Sequence, residues 1–232
     1  MSALELSGVG FDYGKLAVID GLDLRVERGE LVVCVGPSGC GKSTLLALLG
    51  GHLAPTRGTL KRDGAARTIH QSGGLFPWLT VRKNIERGLP RDRAADGKVD
   101  DWLEITKLAE FADHYPHELS GGMRQRVELA RALAGETDIL LMDEPFSALD
   151  YQTRNRMRQE LVATLADRPR TVVFVTHDIE EAVQIGDRVV VLAARPATVR
   201  RELALPGKRS RRPADPGVAE AEQTLMTELG LA

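Results

Sequence analysis

The stretch Gly36-Pro37-Ser38-Gly39-Cys40-Gly41-Lys42-Ser43 constrains this chain more than any other feature. It satisfies the pattern G-x-x-x-x-G-K-[ST], and its flanks are the ones that pattern requires. Before it, Leu31–Val35 is a continuous apolar run rich in β-branched residues, the signature of a strand buried on both faces. After it, Ser43–Leu49 is a Leu/Ala segment of helical character. Glycines let the backbone wrap closely with its N–H groups turned inward, and a helix N-terminus adds about half a positive charge at the same spot. A loop built this way cradles phosphate. Lys42 suits a charge bridging β- and γ-phosphates, and the Ser43 hydroxyl suits a Mg²⁺ ligand.

Two later apolar runs repeat the strand pattern: Ile139–Met142, ending in Asp143-Glu144, and Thr171–Thr176, ending in His177. Each is followed by a helix-like segment, and Val189–Leu192 adds another strand. Strands alternating with helices predict an α/β fold with a mostly parallel sheet covered on both faces. The first third, with the alternating run Leu22–Val26, reads as short strands and turns, an N-terminal antiparallel β region. Between Gln71 and Leu133 no long β-branched run occurs, so this stretch reads as a helical insertion. Met123, Val127, Ala130 and Leu133 recur at helical spacing after Ser120-Gly121-Gly122, which puts a helix start near Arg124. The implied division is a domain over 1–205, with its core at 1–71 and 135–205 and a helical part at 72–134, then a tail at 206–232. Pro206, Gly207, Pro213, Pro216 and Gly217 amid Lys208, Arg209, Arg211 and Arg212 make the start of that tail read as a short hydrated connection.

Nucleotide hydrolysis needs a second metal contact and a group that places water in line with the γ-phosphate. Asp143-Glu144 can supply both from the C-terminal edge of a parallel sheet, where such folds bind ligands. Asp143 would hold Mg²⁺ through water, and Glu144 would act as general base on the attacking water. Acidic pairs at strand ends also serve as plain helix caps.

Composition excludes several other classes. With 31 Lys+Arg against 33 Asp+Glu the chain carries a charge of −2, so it lacks the basic footprint of a general nucleic-acid binder. No apolar run approaches the roughly 18 residues of a membrane-spanning helix. The start has no basic region followed by an apolar one, so no secretory signal is expected and cytoplasmic residence is the default. Cys34 and Cys40 are too few for a metal site and poorly placed for a disulfide.

Leu119-Ser120-Gly121-Gly122-Met123-Arg124-Gln125 resembles the signature motif of the ATP-binding-cassette (ABC) ATPases. The other motifs follow in that family's order: Gly36–Ser43, Gln71 as the Q-loop, Asp143-Glu144, Ser147-Ala148-Leu149-Asp150 as the D-loop, and His177 as the switch. The resemblance covers nearly everything to Leu192. It implies that Gly36 through Thr44 line ATP, that Tyr13 stacks on adenine, and that Ser43, Asp143 and Gln71 reach Mg²⁺. It further implies that Lys42, Glu144, His177 and Gln71 carry the chemistry. Ser120, Gly121 and Gly122 would close over ATP bound to the loop of a second copy, in a head-to-tail dimer. Asp150 would lie across that interface. The sequence departs from the family in a short stretch from Arg62 to Gln71, with His70 in place of the common aromatic. Nor is an added C-terminal regulatory domain expected.

The exposed apolar stretch Leu75–Val81, together with Phe174–Ala182 and Asp187-Arg188-Val189, is similar to ATPases of the bacterial nitrate, sulfonate, taurine and bicarbonate importers. The resemblance therefore implies an ATPase subunit at the cytoplasmic face of the inner membrane. It would work through separate permease subunits and, indirectly, a periplasmic or extracellular solute-binding protein. A soluble, non-transport ABC ATPase is the alternative.

Overall fold

The computed structural model describes residues 1–70, 74–90 and 98–231. The expected Q-loop residue Gln71 lies outside them. In chain order the elements begin with β1 (Ser2–Tyr13), β2 (Leu16–Glu27), β3 (Leu31–Val35), α1 (Lys42–Gly50), β4 (Arg57–Arg62) and β5 (Ala66–Ile69). Next come α2 (Val81–Glu86), α3 (Lys98–Ile105), α4 (Gly121–Ala134), β6 (Ile139–Asp143) and α5 (Tyr151–Asp167). The chain closes with β7 (Thr171–Val175), α6 (Ile179–Ile185), β8 (Arg188–Leu192), β9 (Val199–Ala204) and α7 (Val218–Leu229). It divides into two units, one of Met1–Thr68, Asp138–Glu144 and Pro169–Ala232, the other of Ile69–Thr137 and Pro145–Arg168.

In the first unit β1 pairs antiparallel with β2 on one side and β4 on the other. Alternation builds this sheet: Leu22, Leu24 and Val26 are buried while Asp23 and Arg25 face solvent. The second sheet has the order β5-β6-β7-β3-β8-β9, in which β6, β7, β3 and β8 run parallel to one another and β9 is antiparallel to β8. The unbroken apolar runs fall on its central strands, where every residue of β3 and β7 is buried, because a parallel strand covered on both faces has no wet side. Register then aligns the functional edge. Cys34 of β3 and Asp143 of β6 both pair with Val175 of β7, so three neighbouring strands end at one level.

The stretch after Leu205 is not the hydrated connection its composition suggested. Asp187 accepts a hydrogen bond from the Leu31 N–H at 2.8 Å and pairs with Arg209. Arg211, only 5% exposed, donates through Nη1 to the carbonyls of Val183 (3.1 Å) and Gly186 (2.7 Å) at the end of α6, and through Nη2 to Gly207 (3.2 Å). Beyond it α7 buries Val218, Ala221 and Leu225 and packs on α6. The three–four spacing of those residues is a helical stripe that the Pro/Gly/Arg run ahead of it masked. Lys208 and Arg212 do remain exposed.

In the second unit α2, α3 and α4 pack around Val81, Ile85, Leu103, Leu108, Val127 and Ala130. Helix α4 starts at Gly121, three residues earlier than the apolar spacing indicated, because the Ser120 side chain caps it by accepting the Met123 N–H at 3.3 Å. The apolar stretch Leu75–Val81 splits in two. Val81 is fully buried and Leu75 packs against the core, whereas Phe76 and Trp78 stand 39% and 70% exposed. Buried Asn84 holds that turn: its carbonyl accepts the Phe76 N–H at 2.9 Å and its amide donates to the Leu79 carbonyl at 2.9 Å.

Candidate functional site

The glycine loop leaves β3 and enters α1 as the pattern required. Gly39 and Gly41 sit at φ 74° and 120°, left-handed backbone that a side chain would strain. Gly36 is held by close approach, since a Cβ there would come within 3.0 Å of the Leu192 carbonyl and 3.1 Å of Cys40 Sγ. Pro37, Ser38, Gly39 and Ser43 are exposed, Gly41 and Thr44 half-buried, and Cys40 buried. Lys42 is folded into the loop, its Nζ donating to the carbonyls of Gly36 (2.7 Å) and Pro37 (3.0 Å). That contact parks the ammonium at the mouth of the cradle. Behind the loop, burial pushes the Cys34 thiol up to about 12, so Cys34 is an inert core residue.

On the same sheet edge, Asp143 closes β6 and Glu144 turns away from it at φ 46°. A non-glycine residue in that conformation costs about 1–3 kcal/mol and persists only where its surroundings enforce it. Here the Glu144 N–H donates to the Val175 carbonyl at 2.9 Å, and Glu144 Oε1 lies 3.1 Å from His177 Nδ1. Asp178 caps α6 by accepting the Glu181 N–H at 3.1 Å. Thr176 Oγ1 accepts the Asp178 N–H at 3.0 Å. Tyr13 ends β1 with its ring 54% exposed and in edge contact with Phe11 at 4.9 Å.

In the second unit Ser120 is exposed at the start of α4, where Gly121 has open space around it. A Cβ on Gly122 would meet the Ala148 carbonyl at 3.0 Å. Gln125, a residue to which the sequence reading assigns no role, accepts the Ala148 N–H at 3.0 Å and so ties the serine-glycine turn's helix to Ser147–Asp150. In the sequence it is a polar residue two positions from both Met123 and Val127, off the apolar stripe. Hydrogen bonds from Thr153 hold the exposed Asp150 carboxyl below the usual carboxylate range.

No ligand is needed to see which groups suit one. The exposed Ser43 hydroxyl and the Asp143 carboxylate are hard oxygen donors, and no cluster of three or more His, Cys, Asp or Glu occurs among the described residues. So sparse a donor set fits Mg²⁺, which takes one or two protein ligands and fills its shell with water and phosphate.

A glycine cradle at a strand-to-helix turn, opening on the carboxylate edge of a parallel sheet, defines the phosphate-loop nucleoside triphosphatases. Within that class the chain belongs to the ABC transporter family, whose model matches residues 19–147. It is 43% identical over 208 residues to the nitrate import ATP-binding protein NrtD of Synechocystis sp., covering 84% of this chain and 78% of that protein. It is 41% identical over 209 residues to the aliphatic sulfonates import ATP-binding protein SsuB of Bacillus cereus, covering 85% and 83%. Among solved structures it resembles the dimeric ATP-binding cassette MJ0796 in a post-hydrolysis state bound to ADP and Pi, with TM-score 0.77 and 32% identity over 88% of this chain and 99% of that one.

Proposed function

We propose that this chain is the ATP-binding and ATP-hydrolysing subunit of an importer for a small anion of the nitrate or sulfonate kind, working through a separate membrane permease. The likeness to NrtD and SsuB supports the importer reading and the solute class. A periplasmic or extracellular solute-binding protein would choose the solute, and this chain would sit at the cytoplasmic face through the permease. Consistent with a peripheral subunit, no described helix is long and apolar enough to cross a membrane.

The loop Gly36–Thr44, through the backbone N–H groups of its residues other than Pro37, and the Lys42 ammonium bind the phosphates, with Tyr13 stacking on the base. Lys42 exchanges its two loop carbonyls for phosphate oxygens. Ser43, Asp143 and Gln71 would hold Mg²⁺, and the ion would supply charge neutralisation at the phosphoryl oxygens. Glu144 takes the proton of the attacking water on its carboxylate, and His177 keeps that carboxylate aimed while touching the γ-phosphate. Ser120, Gly121 and Gly122 supply donors to ATP bound by a second copy, a reading supported by the dimeric relative bound to ADP and Pi. The exposed pair Phe76 and Trp78 is the face offered to the permease.

The observation that carries this reading is the Glu144–His177 contact on the edge where the phosphate loop opens. The test is light scattering with Mg²⁺ and a non-hydrolysable ATP analogue, which is expected to double the mass. A monomer at saturating analogue overturns the shared-site mechanism. Copurification with a permease encoded beside it, and ATP-driven anion uptake by the reconstituted complex, tests the importer reading.

A further inference from the structure

His177 must point at Glu144, yet its side chain is 66% exposed, so packing does not aim it. Its direction comes from the backbone, and both flanking residues are tied down by one buried hydroxyl. Thr176, 2% exposed, donates from Oγ1 to Glu181 Oε2 at 2.7 Å. The same oxygen accepts the Asp178 N–H at 3.0 Å. The Asp178 carboxylate in turn accepts the Glu181 N–H at 3.1 Å. These three bonds close a ring through residues 176, 178 and 181, with Glu181 itself 4% exposed. In an ordinary capping box the third-position carboxylate reaches back to the N-cap N–H directly. Here the Thr176 hydroxyl is interposed as a relay, and His177 is the residue the ring spans. On the other side Thr176 N–H donates to the Cys34 carbonyl at 3.3 Å, just before the phosphate loop, while the preceding carbonyl, Val175, receives the Glu144 N–H.

We infer that Thr176 is a positioning residue for hydrolysis: its side-chain hydroxyl, locked to Glu181, sets the backbone from which His177 reaches Glu144. The inference rests on the role of His177 given above. Thr176 is only 2% exposed and its hydroxyl is already committed to Glu181 and Asp178, so it has no surface to offer a ligand directly. Its loss therefore changes the rate of the chemical step and leaves nucleotide affinity alone.

Thr176→Val deletes both hydroxyl bonds with nearly unchanged shape, since the two side chains share the same β-branch. With the full chain, Mg²⁺ and ATP, kcat is expected to fall about 10- to 100-fold, the scale of a misplacement on the order of 1 Å in a catalytic group. KM and the calorimetric ATP affinity stay within about twofold, and Thr176→Ser restores kcat to within about threefold of wild type, because it returns the hydroxyl. Thr176→Ala gives the same reading should the valine variant not fold. Combining Thr176→Val with His177→Ala is expected to be no slower than His177→Ala alone, since a group already removed cannot be misaimed. Wild-type kcat in Thr176→Val, a parallel loss of ATP affinity, failure of serine to rescue, or additive losses in the double variant each overturn the inference. If His177→Ala is slow while Thr176→Val is not, only this inference falls. Undiminished turnover in His177→Ala removes the reading of His177 and this inference with it.

Discussion

His177 Nδ1 stands 3.1 Å from Glu144 Oε1, and the two residues arrive from the ends of adjacent strands, β7 and β6. The approach depends on the left-handed turn at Glu144, whose φ of 46° swings the residue out of line with β6 while its N–H stays bonded to Val175. The carboxylate is sheltered, at 20% exposure, and the imidazole is open. One partner is held in place by the sheet and the other can meet a ligand arriving from outside. Backbone strain at a single carboxylate residue is the mark of a position selected for where it aims.

Glu144→Gln keeps the shape and can still accept a hydrogen bond from water, but cannot take a proton at neutral pH. ATP binding is expected to persist and turnover to fall at least about 100-fold, the usual scale for a lost general base. ATP-loaded dimer should accumulate. Phosphate release and light scattering on the same sample check both halves, and turnover near wild type rules out Glu144 as the base.

Much of this site was readable in the residues themselves, because its backbone demands are local. The phosphate loop needs glycine at Gly39 and Gly41 and a buried strand ahead of it, and each demand leaves a mark in the sequence. The mostly parallel sheet was legible for the same reason: strands buried on both faces are unbroken apolar runs. What failed to show were bonds that join distant residues. The ties from Arg211 to Val183 and Gly186 are 28 and 25 residues apart, so the tail read as solvated although it is docked. The relay through Thr176 was hidden differently. A threonine at the end of an apolar strand looks like one more β-branched residue, and only its hydrogen bonds reveal the second use. The start of α4 was misplaced by three residues because apolar periodicity begins one turn after the capping serine.

Ser120 has two separable jobs. As the cap of α4 it bonds the Met123 N–H, so Ser120→Ala is expected to cost about 1 kcal/mol of stability. Ser120→Asn keeps a side-chain cap and should leave the melting temperature near wild type. Both variants are expected to lose ATP-induced dimerisation, the alanine because it has no hydroxyl to donate to a phosphate and the asparagine because its bulkier amide fills the space the phosphate would occupy. Light scattering with the analogue checks this. If the asparagine variant dimerises normally, the turn is only a helix cap.

Arg211 makes the C-terminal segment part of the first unit's core. Its guanidinium satisfies carbonyls that α6 leaves open at its end. Arg211→Leu strips those acceptors in a buried setting, and a loss of about 2–4 kcal/mol is expected from buried acceptors left unpaired. Lys208→Ala and Arg212→Ala, at exposed positions of the same segment, should change stability by less than about 0.5 kcal/mol. Urea titration of the three variants checks the contrast. Equal effects at all three positions would mean the segment is held by composition rather than by Arg211.

Glu222 on α7 gives the docked segment a pH dependence of definite sign. Burial, and then the nearby Glu180 and Asp178 carboxylates, raise its carboxyl above the usual range. An acid whose folded value is raised binds its proton more tightly in the folded chain, so ionising it works against folding. The penalty is absent below the ordinary carboxylate range. It grows as pH climbs through that range and is complete once the folded group has ionised. Glu222→Gln removes an ionisation and keeps the shape, so it is expected to stabilise the chain at pH 7 by about 0.5 kcal/mol, the scale of partly exposed charges. That gain should shrink to nothing as pH falls below about 4. The measurement is the melting temperature of both proteins across pH 4–8. A gain that persists at pH 4 would show that the effect does not come from ionisation, and a loss at pH 7 would show that Glu222 is stabilised by a contact rather than burdened by its acidic neighbours.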